Sequence, residues 1–200
     1  VSDRSGWWNV YRVTGIDELE PVHPVQAEVG LPAWVFGQSR YQVGDGGTVW
    51  LLQMSSRVLN KKGGLRADKL IGAWLRQLAA AASGVEVTGY LVARDAIVTM
   101  APLDQALAHA QLGALVALWR RNLDKPLPVA CKTALALVEG GDPRATYNGG
   151  FELTGEVADE CLARLWPDFA ALSAEPEWFD CAKAMYGPLA EWIEQQVEIR

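Results

Sequence analysis

The sequence has few of the residues that build metal centres and disulfide frameworks. It contains three cysteines, Cys131, Cys161 and Cys181, far apart and without a Cys-x-x-Cys pair, and two histidines, His23 and His109, near none of them. This pattern argues against a structural zinc site. Dispersed cysteines in odd number are typical of free thiols in a reducing cytoplasm, so we expect a cytoplasmic protein that needs no metal and no cofactor.

Long apolar runs are also absent, and none reaches the length of a membrane span. The 200 residues are 50% hydrophobic and 21% charged, which is ordinary for a globular chain and is enough for one large domain or two small ones. The chain begins at Val1 without a basic and then apolar leader. This start predicts a fragment or trimmed domain and not a secreted precursor.

Charge is distributed unevenly along the chain. The net charge of -6 by itself argues against a nucleic-acid partner, yet residues 1–101 carry ten Lys and Arg against nine Asp and Glu. Residues 102–200 carry eight against fifteen. Six cations fall between Arg57 and Arg76 with one acid, Asp68, among them. This local excess is the concentrated charge feature of the sequence.

A β-prone apolar run, Thr48–Arg57, turns polar at its last positions. The Gly-rich turn 44–47 precedes it and joins it to a second predicted strand, Trp34–Val43, as a hairpin. A run that is apolar on both faces is typical of a central strand covered on both sides. Its polar end faces the start of a predicted helix, which runs from about Arg66 to Ser83. Proteins of the α/β class usually place their ligand-binding and catalytic sites at such strand ends.

The remaining segments predict an α/β part, residues 1–101, followed by a helical bundle, residues 102–200. Asp17–Glu20 has the character of a turn or a short exposed segment, and Gly187-Pro188 predicts a kink or break near the end of the chain. The other predicted strands and helices are β-prone Trp7–Val13, an edge strand at Val22–Val29, strands at Val85–Arg94 and Ala96–Met100, a helix at Pro102–Leu123, and helices at Glu177–Met185 and Leu189–Val197.

The polar end of the central strand lacks the groups that a metal-dependent nuclease needs. Such a site requires carboxylates on adjacent strand ends and a Lys near the attacking water. Here the arms of the hairpin offer Arg40, Gln53 and Ser55. Ser55 also lacks a nucleophile elbow and a histidine partner. We therefore interpret the polar end of the strand as a former nuclease site that has lost its catalytic groups. The alternative is an active nuclease whose carboxylates lie elsewhere in the chain, such as Glu28 and Asp17.

A basic, glycine-containing loop, Lys61–Gly64, precedes the predicted helix. It lacks the Gly-x-x-x-x-Gly-Lys-Ser/Thr pattern, so nucleotide binding is not expected. Backbone amides at a helix start and nearby cations can instead hold the phosphates of a nucleic-acid strand. The alternative is a solvated helix face beside a mobile loop. The candidate nucleic-acid-binding residues are Lys61, Lys62, Arg66, Lys69 and Arg76.

Several segments together resemble the C-terminal region of RecC, the gamma subunit of exodeoxyribonuclease V, the RecBCD helicase-nuclease of bacteria. The resemblance runs from about residue 34 to residue 193, and it rests on the order and spacing of the segments, none of which is a catalytic signature. The segments are Lys69–Gly84, Val98–Leu103, Lys125–Val129, Tyr147–Phe151 and Leu162–Trp166.

The resemblance implies a degenerate PD-(D/E)xK nuclease-like sheet with a crossover helix, followed by a small helical bundle. Active relatives carry Gly-x-x-Asp and Asp-x-Lys, and here Arg40 stands in the first Asp position, Gln53 in the second and Ser55 in the Lys position. The resemblance further implies a non-enzymatic role in DNA repair and recombination, in which the domain shapes the path of unwound single-stranded DNA and docks RecB and RecD. The alternative is a protein-interaction domain without DNA contact.

Overall fold

The computed structural model describes residues 11–15, 18–21, 26, 41–43, 49–55, 57–151 and 154–199. Contacts within the chain divide it into two units, residues 1–39 and residues 40–200. Among the described helices, none is long and apolar enough to cross a membrane. The predicted boundary between residues 101 and 102 stays a prediction.

The first unit contains an antiparallel hairpin of β1 (Tyr11–Gly15) and β2 (Glu18–Pro21). The β character predicted for Trp7–Val13 is confirmed where the structure describes it. Residues 18–20, predicted as part of a turn or a short exposed segment, form a strand whose Glu18 and Glu20 are exposed. The predicted edge strand at Val22–Val29 lies outside the described residues, apart from residue 26, which is in a bend.

The second unit is built on a mixed sheet with the strand order β3-β4-β5-β6-β7. Strands β4 and β5 are parallel from Val49 opposite Val87 to Ser55 opposite Ala93, and the other neighbours are antiparallel. The predicted hairpin is confirmed by the pairing of β3 with β4, although residues 34–40 lie outside the described ones. The five strands are β3 (Tyr41–Val43), β4 (Val49–Ser55), β5 (Val87–Ala93), β6 (Ile97–Met100) and β7 (Val197–Ile199).

The predicted crossover helix is α1 (Ala67–Ala82), which joins the parallel strands β4 and β5. Its apolar side chains recur at helical spacing and form the main core with Leu91, Val98 and Met100 of the sheet. The helical spacing of the apolar residues predicts that Leu75 also faces the core, but its side chain is 39% exposed. The buried apolar residues of α1 are Ala67, Leu70, Ala73, Trp74, Leu78 and Ala81.

Gln77 is a buried polar residue within this otherwise apolar interface. Its side-chain amide donates hydrogen bonds to the carbonyl oxygens of Val87, at 3.1 Å, and Ala101, at 3.0 Å. A Cβ at Gly89 would lie 3.1 Å from Gln77 Oε1 and 2.7 Å from Met100 Cε, so β5 passes α1 closely because this residue has no side chain. The hydrogen bonds thereby tie α1 to the start of β5 and the end of β6.

The second half of the chain is mainly helical, and α1 packs against α2 and α7. The helix predicted from Pro102 to Leu123 is confirmed as α2, which Asp104 caps by accepting a hydrogen bond from the amide of Leu107. The helices are α2 (Gln105–Asp124), α3 (Cys131–Val138), α4 (Pro143–Asn148), α5 (Glu160–Leu165), α6 (Phe169–Ser173) and α7 (Trp178–Gln196).

Two predictions for the helical half are wrong. Of the kink or break predicted at Gly187-Pro188, the break that would divide two helices is absent, because α7 continues through Pro188 with Trp178, Ala182, Leu189 and Trp192 buried along it. The expectation of helices only is also wrong, because α7 leads directly into β7, which pairs with β6. The C-terminal end of the chain thus contributes a strand to the sheet.

A second core lies within the helical half around Tyr147. This side chain is fully buried, and its hydroxyl donates a hydrogen bond of 2.6 Å to the carbonyl oxygen of Trp166. Phe169 packs against Tyr147 and, edge to face at 5.5 Å, against Trp178. Tryptophans that are scattered along the sequence anchor both cores, Trp166 and Trp178 in this one and Trp74 and Trp192 in the main core.

Candidate nucleic-acid interface

The loop between β4 and α1 forms a tight turn that presents Lys61 and Lys62 to solvent. The side-chain oxygen of Asn60 accepts hydrogen bonds from the amides of Lys62, at 2.8 Å, and Gly64, at 3.1 Å. Gly63 has a φ of +82°, a left-handed conformation that glycine adopts without strain. The sequence Asn-Lys-Lys-Gly-Gly therefore closes the turn through its own polar groups and leaves both lysines exposed at its tip.

Arg66 lies immediately before α1 and is held by Asp68 in the first turn of the helix. Two hydrogen bonds join them, from Nη2 to Oδ2 at 3.0 Å and from Nε to Oδ1 at 3.3 Å. The Nζ atom of Lys69 lies 3.9 Å from the same carboxylate. Because both cations are more than a third exposed, solvent screens these ion pairs and they add little stability.

Lys69 and Arg76 extend the positive surface along α1. They are seven residues apart, so they share a face of the helix about 10 Å apart along its axis. Both side chains are exposed. The five predicted residues thus occupy one continuous segment, with two lysines at the tip of the turn, Arg66 at the helix start and two cations along the helix.

Lys61 and Arg66 also line an open groove with a volume of about 680 Å³, together with two arginines that were not among the candidates. Arg57 follows β4 and Arg94 follows β5, so both lie beyond the carboxyl ends of the two parallel strands. We call this feature the basic groove and define it by its four cations, Arg57, Lys61, Arg66 and Arg94. Lys62, Lys69 and Arg76 do not line it.

Arg94 had a signal in the sequence, because the predicted strand Val85–Arg94 ended on it. What local patterns do not show is that β5 pairs with β4 in parallel, which places the positions after both strands at the same edge of the sheet. Arg94 lies outside the cationic segment Arg57–Arg76 in the sequence, but in the structure it lines the groove together with Arg57, Lys61 and Arg66.

Asp95 is the acidic residue that lines the basic groove, and both of its carboxylate oxygens accept hydrogen bonds from backbone amides. Oδ1 accepts a hydrogen bond of 2.9 Å from the amide of Val58, and Oδ2 accepts one of 3.1 Å from the amide of Leu59. These bonds, that from Val58 above all, lower the pKa of Asp95, and the positive charge of Arg57 adds to the effect. The carboxylate therefore stays ionised at neutral pH and fastens the turn after β5 to the segment after β4.

The three positions of the degenerate nuclease motif are described only in part. Gln53 and Ser55 belong to β4, in register with Leu91 and Ala93 of β5, whereas Arg40 lies outside the described residues. Among the residues that the structure describes, no three His, Cys, Asp or Glu side chains are grouped so that they could hold a metal ion.

A second exposed feature is an apolar stripe on α2. Val116, Trp119 and Leu123 are spaced by three and four residues, which places them on one face of the helix. Their side chains are 44%, 59% and 66% exposed. The residues of α2 that are buried are Ala108 and Leu118. Large apolar side chains that gather on an exposed face are typical of interaction surfaces.

Comparison with known protein families identifies a family to which this chain is similar. No curated protein matches the chain. The family of the RecC C-terminal domain matches residues 14–142, a span that contains α1, the basic groove and the apolar stripe of α2. The match confirms the resemblance found in the sequence. A RecC domain is part of a subunit of the RecBCD complex, which acts in DNA repair and recombination. The chain therefore belongs to the RecC C-terminal domain family, which implies a role in that complex alongside its other subunits.

Proposed function

We propose that this chain is a non-catalytic, nuclease-like domain that guides single-stranded DNA within a RecBCD-like complex and docks other subunits of it. The observation that carries the proposal is the cationic surface at the carboxyl ends of β4 and β5, continued along α1. This edge is where open α/β sheets place their ligands. The surface is basic although the chain as a whole has a net charge of -6.

The chemistry of this surface suits phosphates and not bases. Lysine and arginine side chains neutralise backbone phosphates and release counterions, which gives affinity without sequence preference. Lys61 and Lys62 stand at the tip of an exposed turn, and Arg66 lies at the start of α1. A protein that guides unwound DNA strands of any sequence requires contacts of this kind, because phosphates are the same in every sequence.

The first expected result concerns catalysis. Incubation of linear DNA with the chain and Mg²⁺ or Mn²⁺ leaves the DNA intact, because Arg40, Gln53 and Ser55 stand where a nuclease needs two carboxylates and a Lys. Gel analysis of end-labelled DNA measures this. Cleavage that is lost on changing Glu28 or Asp17 to Ala would instead establish a nuclease with relocated carboxylates.

The second expected result concerns DNA binding. The chain binds single-stranded DNA of any sequence, and the affinity falls as salt rises with a slope of about 0.7 ions per phosphate contacted. Changing Lys61, Lys62 and Arg66 together to Ala flattens this slope by up to about 2, as expected for three lost contacts. Titration of fluorescent oligonucleotides at several salt concentrations gives the slope, and the same change in the complete enzyme slows DNA unwinding.

A matched control separates local contacts from net charge. Lys125, Arg144 and Arg164 are exposed cations of the helical half, and changing all three to Ala removes the same charge. The control variant keeps the slope of the wild type. If the two triple variants behave alike, or if the Lys61, Lys62 and Arg66 variant binds and unwinds DNA like the wild type, the surface is a solvated face and the domain only contacts proteins.

The docking part of the proposal is supported by the apolar stripe of α2. Val116, Trp119 and Leu123 lie in water in the isolated chain, although burial of such side chains is favourable. The family acts within a complex of several subunits. We assign the stripe to contact with another subunit, and aromatic side chains such as Trp119 are frequent anchors of protein interfaces.

A further inference from the structure

We infer that the basic groove is the principal phosphate site of this surface, with Arg57 and Arg94 as its additional DNA contacts and Asp95 as the residue that positions them. The inference rests on the proposed function, because it places the DNA backbone on one part of the cationic surface. It adds two cations to the candidates from the sequence and separates the groove from the exposed helix face that carries Lys69 and Arg76.

The first argument is that most cations of the groove form no ion pair with an acidic residue of the described part of the chain. Among the described residues, the ion pairs join Arg66 and Lys69 to Asp68 and Arg121 to Glu177. Arg57, Lys61 and Arg94 therefore line the groove without an ion-pair partner in the described part of the chain. Unpaired cations around a concave surface focus positive potential, which favours an anion there more than on a convex helix face.

The second argument is how the groove is held together. Val58 is fully buried and makes two hydrogen bonds in opposite directions: its amide donates to Asp95, and its carbonyl oxygen accepts from the amide of Arg66 at 2.9 Å. Arg57 precedes Val58, and Arg94 precedes Asp95. One buried residue thus connects the three backbone segments that carry Arg57, Arg66 and Arg94.

The third argument is the role of the acid. A carboxylate among four cations would ordinarily weaken phosphate binding by repulsion. Here both oxygens of Asp95 accept backbone amides, which only an ionised carboxylate can do symmetrically. Loss of these bonds would free the turn after β5 from the loop before α1. The structure therefore assigns Asp95 a positioning role that outweighs its unfavourable charge.

Two double variants test the location of the site. Arg57→Gln with Arg94→Gln removes two cations from the groove, and Lys69→Gln with Arg76→Gln removes two from the helix face. With a fluorescent oligothymidylate as probe, we expect the groove variant of the full 200-residue chain to bind about tenfold more weakly, as the loss of charged hydrogen bonds predicts. The helix variant changes the affinity by less than about threefold, since exposed, screened charges contribute little.

The outcomes distinguish the inference from the proposed function. If the groove variant binds like the wild type while the Lys61, Lys62 and Arg66 variant is weakened, the inference is overturned and the proposed function stands. If all of these variants bind like the wild type, both are overturned. Circular dichroism and denaturant melts of each variant identify any that fail to fold, and single Arg57→Gln and Arg94→Gln changes then replace the double variant.

The substitution Asp95→Asn tests the positioning role, because positioning and electrostatics predict opposite changes in the affinity for the oligothymidylate. The change removes one negative charge from the groove, so electrostatics alone predicts tighter binding of the oligothymidylate. Positioning predicts weaker binding, because the asparagine amide group can accept from only one of the two backbone amides. An affinity equal to or above that of the wild type, in a variant with unchanged circular dichroism, would overturn the role of Asp95.

Discussion

Leu78→Ala lowers the free energy of unfolding by about 2–5 kcal/mol, the range for deletion of a large buried aliphatic side chain. Leu78 is fully buried on α1, and it belongs to the core that joins α1 to Leu91, Val98 and Met100 of the sheet. The change removes apolar contacts and leaves a cavity between helix and sheet. Denaturant melts followed by circular dichroism measure the loss.

Leu75→Ala is the matched control for this prediction. Leu75 lies on the same helix and has the same side chain, but it is 39% exposed, so we expect a loss of less than about 1 kcal/mol. Equal losses in the two variants would contradict the described packing of α1. The apolar run of β4 and the apolar spacing of α1 also predict that Leu51 contacts Trp74 and Leu78. The side chain of Leu51 lies outside the described residues, so that contact stays a prediction.

Trp119→Ser with Leu123→Ser weakens assembly of the full-length subunit with its partners by about 30-fold or more, since loss of an interface anchor costs at least about 2 kcal/mol. Both side chains project from α2 and are 59% and 66% exposed, so their loss leaves the core of the chain intact. Co-purification of the co-expressed subunits and a binding titration measure the effect. The melting of the isolated chain changes little.

The same helix supplies the control for the docking prediction. Leu107 is 47% exposed, but the helical repeat places it on a different face of α2 from Trp119 and Leu123. Leu107→Ser therefore leaves assembly unchanged. If the stripe variant assembles like the wild type, the stripe does not dock a subunit. If the Leu107 variant disrupts assembly equally, the contact is not specific to the stripe.

Local sequence patterns predicted the elements from β3 to α2. The bounds of β4, α1, β5, β6 and α2 lie within a few residues of those expected from apolar spacing and from the Gly and Pro residues between them. These signals are reliable because helix and strand repeats act over neighbouring residues. The pattern failed at Gly187-Pro188, where packing of α7 against α1 and α3 maintains a helix that local propensity disfavours.

The strand β7 had no local signal. It has three residues, Val197–Ile199, and continues directly from α7. Its backbone pairs with β6, where Ile199 lies opposite Val98 from the other half of the chain. Gln77 is a similar case, because its amide finds buried carbonyl oxygens that only the folded sheet brings to it. Both features depend on partners that sequence spacing does not specify.

The sequence by itself determined the family, the elements β4, α1, β5 and β6 of the α/β half and the cationic segment between Arg57 and Arg76, because each depends on residue types and on their spacing along the chain. The tertiary structure alone decided which cations share a groove. Val58 and Asp95 are 37 residues apart in the sequence, and the hydrogen bond between them forms because parallel pairing places the carboxyl ends of β4 and β5 at one edge. That edge brings Arg94 to the loop before α1 and separates the groove from the face that carries Lys69 and Arg76.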